Sequence, residues 1–259
     1  MNRYFSALPF LGFAATITLQ SGVAFALSSS EIASQTQTFT VQINGIQTGT
    51  GTTIEKNGNT YKVLTCWHVV DEPGEYEIVT VDGKTHQATQ IYNLPGVDLA
   101  IVEFDSTNSY QTAELGNSEI AIPGESAYTA GYPVPFPGFP ERSYTFLDVS
   151  IISRQSKGER GYQVIYNNPS PPGSSGGGLF DKDGRLIGVN GRVISEGNTS
   201  NTYGAGIPLQ VYLASRDDLV LNIGQNKLRA KDYKGALEEM DRAINSNPDL
   251  IDAYSGLHN

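Results

Sequence analysis

Cysteine occurs once in the 259 residues, at Cys66. One thiol excludes a disulfide within the chain and any zinc site built on several cysteines. Histidine is almost as scarce: His68, His86 and His258 are the whole supply, which leaves few ways to assemble a metal site or a general base. Basic residues are outnumbered, 17 Lys and Arg against 27 Asp and Glu, for a net charge of −10. Nucleic-acid binding needs a basic surface, so DNA and RNA are not expected partners. Charge is sparse overall, at 17%, while apolar residues make up 39%. That balance excludes both a disordered chain and a coiled coil. What the chain does have is 28 glycines and 13 prolines, which favour turns over long helices, and enough aromatics, 10%, to fill a core.

Long apolar runs are missing beyond the first 26 residues. There, Arg3 is the only charge, the run from Ala7 reaches Val23, and Ala24-Phe25-Ala26 closes it. A basic start, an apolar stretch and a small-x-small site describe a secretory signal peptide with cleavage after Ala26. Thr16, Thr18, Gln20 and Ser21 interrupt the run and make it a poor membrane span. The expected product is exported and has no membrane association after cleavage.

From residue 37 onward, short runs alternate apolar and polar residues between turn signals such as Asn57-Gly58-Asn59 and Asp82-Gly83. This period-two pattern predicts strands joined as hairpins. Six candidates end at Asp98–Phe104, a polar connection covers about 105–122, and six more run from 125 to 208. Closely spaced short strands in that number predict a mainly β body, barrel or sandwich. Pro133-Val134-Pro135-Phe136-Pro137-Gly138-Phe139-Pro140 must be a surface loop, because proline cannot sit inside a sheet. After about residue 210 the periodicity becomes helical, which predicts a small helical tail.

Three segments can carry chemistry. Ser175 lies in Gly173-Ser174-Ser175-Gly176-Gly177. A serine hydroxyl needs an adjacent base to become a nucleophile, and glycines around it let backbone N–H groups converge on one point. The pattern is also that of a nucleophile elbow, but the elbow enters a helix and its histidine follows the serine. Here Asp181-Lys182-Asp183-Gly184 is a hairpin turn, and the only later histidine is His258, next to last. His86 sits in a polar run and reads as solvated, so if a Ser–His pair exists, His68 is its base by elimination. The other ring nitrogen then needs a carboxylate. Asp98 opens the apolar run Leu99-Ala100-Ile101-Val102, and an acid there needs a partner. Asp71 and Asp105 compete for this role, although their polar neighbours favour solvation.

Thr65-Cys66-Trp67-His68-Val69-Val70, Val97-Asp98-Leu99-Ala100-Ile101 and Gly173-Ser174-Ser175-Gly176-Gly177 resemble, in this order, the three boxes of the chymotrypsin-like serine proteases. The spacings of 30 and 77 residues are closer to the bacterial HtrA/Deg kind. The resemblance covers about residues 35–215. It implies two six-stranded antiparallel barrels, about 35–105 and 122–210, with His68, Asp98 and Ser175 as a triad in the cleft between them. It further implies an oxyanion hole from the N–H groups of Gly173 and Ser175, and a strand around Val189, Asn190 and Gly191 that pairs with the substrate backbone. The activity it implies is serine endopeptidase action on proteins or peptides, without metal or organic cofactor, in the periplasm or outside a bacterium. The rival is a catalytically silent, protease-like module that recruits partners.

The chain also departs from the family. Gly178 replaces the family's proline, which is expected to loosen the turn, and Ser174 replaces the acid that pairs with a freshly cut N-terminus. Cys66 reads as a small core residue. Pro169 stands six residues before Ser175, where trypsin-like members place an acid, so cleavage is expected after small or aliphatic residues. Arg192 keeps open a preference for acidic ones. Gly224, Ala236, Met240, Ala243 and Pro248 resemble the signature positions of a tetratricopeptide repeat. A single repeat cannot bury its own face, so residues 217–259 are expected to form a helical tail that packs on the barrel or on another chain, a partner or a second copy, or belongs to a longer array.

Overall fold

A computed structural model describes residues 27–195, 197, 200–229, 233–235, 237 and 241. The expected signal segment and most of the repeat-like tail lie outside these residues. So do Ala236, Met240, Ala243 and Pro248.

A helix precedes the first strand. α1 (Ser29–Gln37) is capped by Ser28, whose hydroxyl accepts from the Glu31 N–H while the Glu31 carboxylate accepts from the Ser28 N–H. This reciprocal pair satisfies two N–H groups left open at a helix start. Ile32 and Thr36 are buried, and Thr36 is bonded to the Tyr144 hydroxyl at 2.7 Å.

Twelve strands then form two closed barrels. The first contains β1 (Thr40–Asn44), β2 (Gly49–Asn57), β3 (Thr60–Thr65), β4 (Glu77–Val79), β5 (Thr85–Asn93) and β6 (Ala100–Asp105). The second contains β7 (Ser126–Gly131), β8 (Thr145–Arg154), β9 (Val164–Tyr166), β10 (Gly178–Phe180), β11 (Leu186–Ser195) and β12 (Thr202–Pro208). Around the first barrel the order is β1-β2-β3-β6-β5-β4, and the second repeats it as β7-β8-β9-β12-β11-β10. All strand pairs within the barrels are antiparallel. Closure leaves neither barrel a free edge along most of its length.

Period-two alternation fills the interiors. In the first barrel Tyr61 stacks on Phe104 with ring centroids 5.2 Å apart, among Val41, Ile43, Val63, Ile78 and Val102. In the second, Val149, Ile151, Val164, Tyr166, Leu179 and Ile187 form a separate cluster. The first cluster runs on between the barrels through Phe39, Phe180 and Val189, and reaches Leu209 and Tyr212 of α2 (Leu209–Arg229). No helix among the described residues is long and apolar enough to cross a membrane.

Two local expectations are corrected. His86 is not simply solvated: its ring packs on Phe104 at 4.9 Å and bonds the Tyr110 hydroxyl at 3.0 Å. Gly178 does not loosen its turn. It starts β10, paired with Val189, and a Cβ there would sit 2.2 Å from the tip of the Phe180 ring. The ring occupies the space a side chain would need.

The proline-rich segment is an exposed loop between β7 and β8. Arg142 anchors its far end. The guanidinium donates to Asn44 Oδ1 and to Gly49 O, both at 2.7 Å, to the Tyr132 carbonyl, and at longer range to Pro133, Ile43 and Gly173 carbonyls. One cation thus ties the first barrel, the loop and the Gly173 turn together, with no carboxylate on it among the described residues.

Candidate active site

His68 lies on a single 3-10 turn, Trp67–Val69, directly after β3. Asp98 lies in the β5–β6 connection, two residues before β6. The backbone binds these places together, because Trp67 N–H donates to the Asp98 carbonyl at 3.2 Å. The Asp98 side chain then turns back on the histidine. His68 N–H donates to Oδ1 at 3.0 Å, and His68 Nδ1 meets Oδ2 at 2.8 Å. The carboxylate is 2% exposed and the imidazole 33%, so the ring is held from the buried side and open on the other. Asp71 and Asp105 are exposed and serve other partners, Gln47 and Thr60.

Two further side chains reach Asp98. The Tyr162 hydroxyl donates to Oδ2 at 2.8 Å, and Arg160 Nη2 lies 3.1 Å from Oδ1. Burial alone would raise the Asp98 carboxyl; the His68 and Tyr162 hydrogen bonds outweigh it and hold the group at about 2. Arg160 and Tyr162 lie close together in the β8–β9 connection, where nothing in the sequence marks them as partners of Asp98.

Ser175 sits in the turn before β10. The turn packs on the start of β2 and the end of β3: Thr50 N–H donates to the Ser175 carbonyl at 2.9 Å. A Cβ on Gly176 would meet Thr65 Oγ1 at 2.1 Å and Cys66 N at 3.0 Å. Gly173 and Gly176 both have φ of 87°, the left-handed region that glycine enters without steric cost. The hydroxyl of Ser175 donates to the Gly191 carbonyl at 3.2 Å and makes no hydrogen bond to His68. Such a bond is often loose before substrate arrives.

The turn's N–H groups divide into two sets. Those of Ser174, Gly176 and Gly177 are used by Pro171, Asn190 and Ser174 carbonyls. Those of Gly173 and Ser175 donate to nothing among the described residues.

Asn190 corrects the expected substrate strand. Its N–H and C=O both bond the Ser175 turn, to Gly177 and Gly176 at 2.8 Å. Its side chain donates to the Ser174 carbonyl and accepts from the Tyr166 hydroxyl. Val189 is paired on both sides, with Gly178 and Ile207. Neither residue has backbone groups left for a substrate. The edge of β11 opens at Gly191, which sits at a bulge, and continues through Arg192–Ser195, which pair with β12 alone among the described residues. Arg192 is engaged: it pairs with Glu159 at 3.0 Å and stacks on the Tyr162 ring at 4.4 Å.

Cys66, His68 and Asp98 bring potential metal-ligand atoms within 4.8 Å of one another. The donor set does not suit a metal. Burial and the Asp98 charge push the Cys66 thiol up, so it stays protonated, and the carboxylate oxygens already serve four donors.

Residues 49–189 match the trypsin-like peptidase domain. The chain belongs to the trypsin-like peptidases. Among its relatives, a probable periplasmic serine endoprotease, DegP-like, from Pseudomonas fulva is 30% identical over 66% of this chain and 34% of its own length. The Do-like serine protease HtrA of Bacillus subtilis is 28% identical over 57% of this chain and 34% of its own. This trypsin-like chain therefore spans about a third of the length of the curated relatives it matches. Among solved structures, the HtrA-type protease AlgW with a tripeptide superposes with a TM-score of 0.59 at 25% identity, over 73% of this chain and 62% of that one.

Proposed function

We propose that this trypsin-like chain is a serine-type endopeptidase of the HtrA/Deg kind, acting through Ser175, His68 and Asp98. The observation that carries the reading is the buried Asp98 carboxylate on His68 Nδ1, which fixes the ring so that Nε2 is the free base. Rotation of the Ser175 hydroxyl away from the Gly191 carbonyl frees it to give His68 its proton as Oγ attacks the scissile carbonyl. The developing oxyanion is received by the two uncommitted N–H groups of Gly173 and Ser175, donors of a kind worth about 3–4 kcal/mol each. His68 then protonates the leaving amine, and water hydrolyses the acyl-enzyme by the same route in reverse. The open edge of β11 from Gly191 onward supplies the strand on which a peptide lies antiparallel.

The wider reading has the same standing. Residues 1–26 direct export, in keeping with the periplasmic names of the relatives. Residues 27–216 form the protease domain, and 217–259 a helical tail for a protein partner or a second copy.

The test is labelling with a fluorophosphonate probe. Wild type is modified at Ser175, whereas Ser175→Ala and His68→Ala are not. Ser174→Ala stays reactive, because Ser174 is buried beneath the turn. Labelling that survives Ser175→Ala, or is lost only in Ser174→Ala, rejects the assignment.

A further inference from the structure

The Asp98 carboxylate takes donors from both barrels, and two of them share one oxygen. His68 Nδ1 and the Tyr162 hydroxyl both lie 2.8 Å from Oδ2. The segment carrying Tyr162 is fastened to Asp98 in two other ways. Asp98 N–H donates to the Arg160 carbonyl at 2.9 Å, and the Arg160 guanidinium reaches Oδ1. Arg160 holds this position with φ of 51°, which few non-glycine residues adopt, a kind of strain that collects at functional sites.

Space around the hydroxyl is reserved by an absence. A Cβ on Gly191 would lie 2.4 Å from Tyr162 Oη and 2.6 Å from Cys66 Sγ. Any side chain at 191 would displace the tyrosine from Asp98. The same Gly191 offers the carbonyl on which the Ser175 hydroxyl rests. Tyr162 itself is buried and capped by the Arg192 guanidinium. Its burial and the neighbouring Cys66 and Asp98 push the pKa of its hydroxyl up, so it remains a donor throughout the neutral range.

We infer that Tyr162 is a positioning residue for the proposed triad, acting through Asp98, and that Gly191 is glycine to admit its hydroxyl. The inference rests on the reading of His68, Asp98 and Ser175 as a triad. Tyr162 does two things. It fixes the rotation of the carboxylate so that one Oδ2 lone pair faces His68 Nδ1. It also draws negative charge from that oxygen, which weakens its hold on an imidazolium. The charged or titratable groups facing this pair are the Cys66 thiol, the Arg160 guanidinium and Arg192, the last already paired with Glu159. Among the described residues, only Tyr162 shares the oxygen used by His68.

Tyr162→Phe deletes the hydroxyl and leaves the ring. The rate of Ser175 modification by a fluorophosphonate is measured from pH 5 to 9 over a range of probe concentrations, together with the melting temperature. The expected result is a maximal rate lower by about tenfold with probe affinity within about twofold, the size of one hydrogen bond to a charged group. The acid limb moves to higher pH, because Asp98, relieved of a donor, holds the protonated ring more strongly. In the same variant the low-field proton of the His68–Asp98 bond moves downfield, read by NMR on histidine-labelled protein without any substrate. A hydroxyl restored from the other side tests the role of position 191. Cys66→Ala/Tyr162→Phe/Gly191→Ser regains rate and profile, and the matching variant with Gly191→Ala does not. An unchanged acid limb and an unchanged low-field proton in Tyr162→Phe overturn the inference, as does equal behaviour of the serine and alanine versions. Absence of Ser175 labelling in wild type rejects the triad instead, and the NMR proton still decides whether Tyr162 governs the His68–Asp98 bond.

Discussion

Replacing Arg142 by methionine removes a guanidinium but keeps most of its stem, and the structure fixes what should follow. Three of its contacts are short, to Asn44 Oδ1, Gly49 O and the Tyr132 carbonyl, and the rest lie at 3.1–3.4 Å. A hydrogen bond from a charged donor nets about 1.5–3 kcal/mol, so the short three contribute roughly 5–9 kcal/mol before any cost. The cost is real: the cation has no carboxylate among the described residues, and burial pulls it down to about 10. Methionine recovers several kcal/mol of that desolvation, and the net hydrogen-bond figure already contains what the acceptors lose. The balance is a destabilisation of about 3 kcal/mol, or about 6–12 °C in melting temperature for a domain of this size. Arg142→Lys should recover less than half, because an ammonium cannot span acceptors on both barrels. Urea unfolding followed by fluorescence of Trp67, the single tryptophan, measures the change. The denaturant midpoint should fall with its slope unchanged. A shift of less than about 0.5 kcal/mol would show that desolvation cancels the contacts and that the latch contributes nothing net.

Three other outcomes are expected. The folded Asp98 carboxyl is held at about 2 against 3.8 in the free chain. Because the folded value is depressed, its stabilisation is present above about pH 4 and disappears as pH falls through 2, so wild type should lose about 2 kcal/mol more than Asp98→Asn between pH 5 and 2. Parallel stability curves for the two proteins would contradict this. Cys66 should resist a disulfide-exchange reagent at pH 8 in the native protein and react once unfolded, since burial pushes its thiol up; rapid native labelling would show that the site opens. A fluorogenic panel varying the residue before the scissile bond should favour Val, Ala or Leu over Arg and Lys, because no acid lies between Tyr166 and Ser175 to pair a buried cation. Glu should gain little, with Arg192 already paired to Glu159; a preference for Arg or Lys refutes the pocket argument.

Strands were legible because a half-buried strand must alternate and a hairpin must turn, and both leave local marks. The pairing of β3 with β6, or of β9 with β12, leaves none; it follows from closing each barrel. Of the proposed triad, His68 stands out in the sequence through scarcity, Ser175 through its glycines, and Asp98 because an acid at the head of an apolar run needs a partner. Helix α1 was missed although Ser28 and Glu31 stand at capping-box spacing; two residues are a faint signal beside the leader-like run before them. The family resemblance places Asn190 on the substrate-pairing strand, whereas its four hydrogen bonds depend on a turn and a strand distant in sequence. Nothing local marks Tyr162, since its partner lies 64 positions away.

Helix α1 carries a consequence for how the chain acquires its shape. It leads directly into the first barrel, yet its anchors are on the second: Tyr128 and Tyr144 lie 99 and 108 positions from Ser29 and Thr36. The Gln35 side chain rests against Gly184, and Phe39 meets Phe180 at 5.9 Å. The helix that precedes β1 therefore lacks its second-barrel anchors until β7, β8 and β10 exist. Loop closure over such spans is slow and yields nothing until it completes. The first barrel can form early, but its opening helix must wait as an unattached strand of chain. Docking of α1 then marks the end of folding, and a protease added during refolding should cut within residues 29–37 long after the first barrel has become resistant.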